Sequence, residues 1–210
     1  MAIIAHNKIE KISSHELGVS LRLLAYSDRN AIRKWLADPY IIHLTFVVPG
    51  PDCVPLFPLS AAASDQYVNT LISDSSRLTF AIEVNGIHIG NIGLKEYYPH
   101  KQTSEFFIEI GEAEYRGKGV GKAAIAILLD YAFFTLGIQE MRLEVLEFND
   151  VAIRVYRRLG FEITHRSGWH YDVHGQYWQV WAMNLAKERW LLSRRQLALP
   201  SHLVVKSLAK

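Results

Sequence analysis

Apolar positions along the chain fall into two spacings. Val19, Leu21 and Leu23 alternate with Ser20 and Arg22, and Leu78, Phe80, Ile82 and Val84 alternate with Thr79, Ala81 and Glu83. Both stretches predict half-buried strands. Asn85-Gly86 then predicts a two-residue hairpin into a partner strand over 87–95. Further strands are expected over 103–110 and 141–146, and a closing hairpin over 161–173 and 176–185 about a turn at His174-Gly175. Elsewhere the spacing is helical. Ser27 or Asp28 is placed to cap a helix through about Ala37, with Asp38-Pro39 stopping it, and Ser64 or Asp65 restarts one to about Ser73. From Val120 to Leu136 apolar residues occupy two helical faces, which predicts a buried helix closed by Gly137. Asn149 or Asp150 caps another helix that ends at Leu159-Gly160. Residues 47–63, with Pro49, Gly50, Pro51, Pro55 and Pro58, predict a loop.

One junction in this order carries chemistry. A strand ending Glu109-Ile110-Gly111 leads to Arg116-Gly117-Lys118-Gly119-Val120-Gly121-Lys122, where the buried helix begins. Three glycines at alternate positions leave the main chain bare beside unpaired N–H groups and the positive end of a helix dipole, which makes an anion site suited to phosphate. A Walker loop is excluded, because Gly121-Lys122 is followed by Ala123 and the earlier glycine would fall on Arg116. A dinucleotide fingerprint counted from Gly117 ends on Lys122, with no first strand of a βαβ unit before it.

Composition narrows the setting. Half of the 210 residues are hydrophobic, ample for one domain's core. The net charge of +2 is uneven: residues 187–210 hold six basic residues and one acidic, leaving residues 1–186 at −3. A mildly acidic body disfavours a nucleic-acid partner and suits an amine. Cys53 is the only cysteine, so an intramolecular disulfide and a cysteine-rich zinc site are ruled out. The longest apolar run, Ala123 to Leu129, ends at Asp130 far short of the ~20 residues of a membrane helix, and the N-terminus lacks a signal-peptide pattern. A soluble cytoplasmic protein without a membrane partner is expected.

The motif R-x-x-G-x-G at Arg116 to Gly121 resembles the acyl-coenzyme A pyrophosphate loop of the GNAT N-acetyltransferase superfamily. The opening L-R-x-L, followed by W-L-A-D-P-Y, resembles the branch of ribosomal-protein alanine and spermidine acetyltransferases. Asn149 to Phe161 matches the second half of that core, N-x-x-A-x-x-x-Y-x-x-x-G-F. The resemblance covers about residues 19–185. It implies an α+β GNAT fold: a central, mostly antiparallel sheet of six to seven strands with one splayed parallel pair, flanked by helices. It also implies acetyl-CoA as co-substrate and direct attack by a primary amine in a ternary complex, with no metal.

The same resemblance implies roles for residues. The N–H groups from Gly117 to Lys122 would cradle the pyrophosphate, with Arg116 and Lys118 at the rim. The strand before the loop would splay at a bulge, freeing main-chain groups of Glu109, Ile110 and Gly111 for the pantetheine arm and the thioester oxygen. Asn149 would contact the arm, and Tyr156, seven residues on and two turns along the same helical face, would protonate the departing thiolate. Glu144, on its strand, or Glu109, beside the thioester, would be the base, with Glu83 a more distant third; each reads equally as a glutamate facing solvent.

His165, His170 and His174 mix strand faces, so the aromatic closing hairpin is read as an acceptor wall or a dimer contact, not a metal site. Its H-G-Q-Y-W-Q-V-W-A-M resembles the spermidine acetyltransferase hairpin, except that Gln179 replaces an aspartate, which speaks against a polyamine. Residues 1–186 are expected to form the domain. Residues 187–210 read as a basic amphipathic tail, docked on the domain or on a second subunit of a homodimer. The acceptor stays open between a small amine, a protein N-terminus and an amino sugar or aminoglycoside, with residues 40–65 expected to choose. A non-catalytic acyl-CoA sensing module is the alternative from another class.

Overall fold

A computed structural model of the chain describes residues 9–14, 17–44, 60–98, 100–171, 176–199 and 204–207. Most of the expected loop over 47–63, the turn at His174-Gly175, Cys53 and Leu203 lie outside these residues.

The strands are β1 (Ile9–Ser14), β2 (Val19–Leu23), β3 (Leu78–Val84), β4 (Ile87–Lys95), β5 (Thr103–Ile110), β6 (Glu140–Leu146), β7 (Glu162–Tyr171), β8 (Tyr177–Ala186) and β9 (Val204–Ser207). They form one sheet in the order β7-β8-β6-β5-β4-β3-β2-β1-β9. Every neighbouring pair is antiparallel except β5 and β6. The expected six or seven strands become nine among the described residues. The two extra strands pair with each other at one edge, β1 from the polar lead and β9 from the tail. Neither carries a long alternating run, and a partnership between the two ends of a chain leaves no local signal.

The helices are α1 (Arg29–Leu36), α2 (Pro39–Leu44), α3 (Ala61–Ser73), α4 (Val120–Asp130), α5 (Asp150–Leu159) and α6 (Lys187–Gln196). In α4 the residues from Ala123 to Asp130 are all buried, as the two-faced apolar pattern requires, and a π turn over Tyr131–Thr135 prolongs it to Leu136. Gly160, at φ +101°, closes α5. Two helix starts differ from expectation. Asp28 makes no side-chain cap to α1; its carboxylate instead takes the Ala25 N–H at 2.8 Å and the Arg22 guanidinium. The cap of α3 is Ser60, whose hydroxyl accepts from the Ala63 N–H at 3.2 Å, so the helix begins before Ser64 and residues 61–63 are not loop.

Two cores sandwich the sheet. On one face Phe80, Ile82, Ile92, Leu94 and Phe106 pack with α4, α5 and α6; on the other Ile32, Trp35, Val68 and Leu71 of α1 and α3 pack over Ala81 and Phe107. The tail helix docks on its own domain. Trp190 is fully buried and donates to Asp130 Oδ1 at 2.8 Å, and Arg194 Nε reaches both oxygens of the same carboxylate at 2.9 and 3.0 Å. Among the described residues no helix is long and apolar enough to cross a membrane.

Candidate active site

The parallel pair β5 and β6 is joined only over Thr103↔Glu140, Ser104↔Met141 and Glu105↔Arg142. Beyond Glu105 the strands diverge, and a cleft of about 640 Å³ opens between them. Its lining includes Glu109 and Ile110, the loop residues Arg116, Gly117, Gly119, Val120, Gly121 and Lys122, and Glu144, Asn149 and Tyr156. The splay was expected at a bulge, yet β5 keeps constant register with β4 from Gly90↔Ile110 to Lys95↔Glu105. The bulge lies one strand further in: β4 pairs with β3 as Gly90↔Ile82 and then His88↔Glu83, so Ile89 is the extra residue.

Gly117 and Gly119 have φ of +74° and +82°, and a Cβ at either would meet nothing within 4 Å. Their glycines answer to a left-handed backbone facing open space, and α4 begins directly after with its first-turn N–H groups unpaired. The cleft end therefore fits an anion such as a pyrophosphate. Two residues expected to bind the cofactor, Gly111 for the pantetheine arm and Lys118 at the cradle rim, are not among those lining the cleft. Gly111 faces Trp35, and an added Cβ would lie 2.0 Å from that ring. Lys118 does not line the cleft; its ammonium sits 5.9 Å from the Tyr115 ring centroid.

Arg116 lines the cleft, but its guanidinium points into the protein. Nε donates to the Ile110 carbonyl at 2.9 Å, and Nη2 donates to the Gly111 carbonyl at 2.7 Å and to Asp38 Oδ2 at 2.8 Å. The bond to Asp38 holds that carboxyl below the usual carboxylate range. Arg116 thus shapes the loop, and the cationic side chains left on the cleft wall include Lys122 and, unforeseen from sequence, Arg154 and Arg158 on α5. Their spacing of four residues puts both on one helical face, which was a readable signal.

Asn149 is the cap of α5, its Oδ1 accepting from the Ala152 N–H at 3.2 Å. Tyr156 is packed edge-on against Phe106 at 5.6 Å, and burial pushes its hydroxyl well above the usual range, so it stays protonated and able to donate. The three glutamates separate. Glu83 is not a cleft residue: it binds Lys11 at 2.8 Å and Arg22 at 2.9 Å. Glu144 lines the cleft from an exposed position on β6. Glu109 accepts from Asn91 Nδ2 at 2.6 Å; desolvation raises its carboxyl above the usual range, and the Asn91 hydrogen bond opposes that rise. A third cleft carboxylate is Glu105, four residues before Glu109 on the same strand face, a spacing that the sequence displays. It is also raised by burial, and pairs with Lys95 at 2.5 Å.

A wedge between splayed parallel strands, with a glycine cradle at one end and carboxylates and a protonated tyrosine along its walls, can seat a phosphorylated thioester and move protons beside it. The acetyltransferase (GNAT) domain family matches residues 19–162. The chain belongs to that family. Spermidine N(1)-acetyltransferase of Escherichia coli K12 is 28% identical over 177 residues, covering 83% of this chain and 85% of that protein. Spermidine N-acetyltransferase of Vibrio cholerae, solved in complex with CoA and spermine, has a TM-score of 0.71 and 25% identity, covering 83% of this chain and 98% of that one. A dodecameric structure of the same enzyme shares the fold at a TM-score of 0.66 and 24% identity, covering 83% and 96%. This GNAT chain is an acetyl-CoA-dependent N-acetyltransferase.

Proposed function

We propose that this acetyltransferase transfers the acetyl group to a primary amine of a small polyamine. The observation that carries the reading is that Glu105, Glu109 and Glu144 all line the cleft that ends in the glycine cradle. A polycation finds there carboxylates on both strands that bound the cleft, Glu105 and Glu109 on β5 and Glu144 on β6, which attract a chain of ammonium groups and orient one of them toward the thioester. Similarity to the two spermidine acetyltransferases supports the same class of acceptor. The departure at Gln179 lies away from the cleft. That side chain spans the closing hairpin, its Nε2 donating to the Gly168 carbonyl at 2.7 Å, so it bears little on what the cleft accepts.

In this reading the Gly117 to Lys122 segment holds the pyrophosphate, and Asn149 and main-chain groups of Glu109 and Ile110 hold the pantetheine arm. Glu109 takes a proton from the ammonium, leaving a lone pair free to attack. The N–C bond forms, negative charge gathers on the thioester oxygen near a main-chain N–H, and the C–S bond then breaks. Tyr156 gives its proton to the thiolate, the new amide nitrogen sheds its second proton to restore the tyrosine hydroxyl, and Glu109 passes the first to solvent, so amide, free CoA and one proton leave. Glu109 is favoured over Glu144 because a desolvated carboxylate whose proton affinity is raised abstracts a proton near neutrality more readily than an exposed one.

The test is release of free CoA against spermidine, spermine, amino-terminal peptides and amino sugars. Faster release with spermidine or spermine than with either other group is expected. A peptide acceptor that outruns both polyamines overturns the reading.

A further inference from the structure

Asn91 stands in the middle of an apolar strand, fully buried and directly opposite Glu109 in the β4–β5 ladder. Nothing in the reaction assigned above uses it. Its Nδ2 donates to Glu109 Oε1 at 2.6 Å, and its Oδ1 lies 3.0 Å from His88 Nε2. His88 and Asn91 are three positions apart on one strand, and residues so spaced normally point to opposite faces. The bulge at Ile89 shifts the alternation by one and brings the two side chains onto the same face. The far nitrogen of His88, Nδ1, lies 3.5 Å from Asp28 Oδ1, and its ring stands T-shaped to that of Trp35 of α1 with the centroids 4.8 Å apart. Asp28 is itself fixed by two hydrogen bonds from Arg22 and one from the Ala25 N–H.

Donors and acceptors along this line admit one assignment while Glu109 is ionised. A carboxylate only accepts, so the Asn91 atom facing it is the amino group. The carbonyl of the same amide then faces His88, and Nε2 of the imidazole donates to it. A carboxamide neither gains nor loses a proton in this range, so the line orients Glu109 without conducting its proton.

We propose that Asn91 and His88 are positioning residues for the general base, together holding the Glu109 carboxylate at the rotamer from which it meets the incoming ammonium. The proposal rests on the assignment of Glu109 as base. Asn91 is the acceptor-independent part of the device: it supplies a hydrogen bond that favours the ionised carboxylate in a site whose burial disfavours it. The charged or titratable groups facing this line are Tyr67 on α3, which interacts with Glu109, and Asp28 before α1, which interacts with His88.

The experiment is the pH profile of kcat/KM for CoA release with spermidine, with KM for acetyl-CoA and thermal unfolding measured in parallel, in Asn91→Leu, Asn91→Asp, His88→Leu and His88→Gln. Asn91→Leu removes the hydrogen bond at similar volume, and loss of the carboxylate's orientation is expected to lower kcat on the order of 10- to 100-fold. Its KM for acetyl-CoA stays within about twofold and its acidic limb moves to higher pH. Asn91→Asp keeps the shape, places a second carboxylate beside Glu109 and moves the limb further up; it decides the matter if the leucine variant does not fold. His88→Leu lowers kcat, and His88→Gln, whose amide can still donate to Asn91, restores most of the loss. Acidic limbs in both Asn91 variants that coincide with the wild type, or His88→Gln as slow as His88→Leu, overturn the proposal. If the wild type releases CoA with no amine, the acceptor reading fails instead. The Glu109 carboxyl titration, followed by ¹³C NMR in wild type and Asn91→Asp, then decides the positioning alone: a raised midpoint in the variant supports it and an unchanged one overturns it.

Discussion

Arg116 donates to Asp38 at 2.8 Å across 78 positions of sequence. Asp38 ends the turn between α1 and α2, and Arg116 opens the glycine segment, so the cradle and the helices on the other face of the sheet are held by one ion pair. Replacing Arg116 by alanine strips hydrogen bonds from two carbonyls and leaves Asp38 without its cation. We expect Arg116→Ala to cost about 1–3 kcal/mol of stability and to raise KM for acetyl-CoA more than it lowers kcat, because the loop loses its shape while the acid and base stay in place. Thermal unfolding and initial rates at varied acetyl-CoA check this. An unchanged KM would remove Arg116 from loop shaping.

Tyr156→Phe keeps the ring against Phe106 and removes only the hydroxyl. If the leaving thiolate takes its proton there, kcat falls by about 10²-fold or more while KM for acetyl-CoA barely moves. Single-turnover rates separate this loss from slow product release.

Glu109 carries a conflict between stability and activity. Burial lifts its carboxyl above the unfolded value, so ionising it costs the folded state free energy at every pH above the unfolded pKa. That cost shrinks once pH falls below the raised folded value and is gone below the unfolded one. Glu109→Gln can still accept from Asn91, so at pH 8 the variant should melt about 2–4 °C above the wild type, the shift that ~1 kcal/mol gives in a chain of this size. The gap should close toward pH 4, and CoA release should collapse throughout. A melting point below the wild type at pH 8 contradicts the account.

Asp28 and Glu83 have the opposite sign. Burial works to raise both, but hydrogen bonds from Arg22 and, for Glu83, Lys11 outweigh it and hold them below the usual range. Their contribution is complete above the unfolded carboxylate pKa of about 4 and is lost as pH falls through the lower folded values. Arg22→Leu leaves Asp28 with only the Ala25 N–H and the nearby His88, and Glu83 with Lys11 as its remaining cation, and we expect a loss of about 2–3 kcal/mol at pH 7 that shrinks below pH 4. Urea midpoints at the two pH values measure it.

Trp190 in α6 is the largest anchor of the tail. Removing a fully buried indole and its bond to Asp130 should cost about 3–5 kcal/mol in Trp190→Ala, with kcat nearly unchanged in protein that remains folded, since the tail lies behind the core and away from the cleft. Urea unfolding beside an activity assay tests both halves.

What could be read from sequence was local. The Asn85-Gly86 turn occurs with φ of +52° and +77°, and Asn149 caps α5 one residue before its first turn. Each depends on chemistry within four residues, and so does the glycine cradle. Ser60, and not Ser64, caps α3: candidate capping residues crowd that stretch, and only the structure shows which hydroxyl meets an N–H. The Arg116 to Asp38 pair, the β1 to β9 edge and the placement of Asn91 opposite Glu109 are contacts between distant segments, which no periodicity encodes. Resemblance puts the bulge on β5, whereas it sits at Ile89 on β4, one strand inward, and a single extra residue in an apolar run leaves no trace in the pattern.

Three pairs of residues close the seam between β5 and β6 and then pairing stops. The opening is therefore part of the resting architecture: a guest that lies along the freed edge replaces a missing neighbour in the sheet. The last closed pair, Glu105 with Arg142, fixes the depth of the wedge as a ruler would. Adding one more paired residue at that vertex would shorten the guest that fits by about 3.3 Å, the rise of a single strand residue.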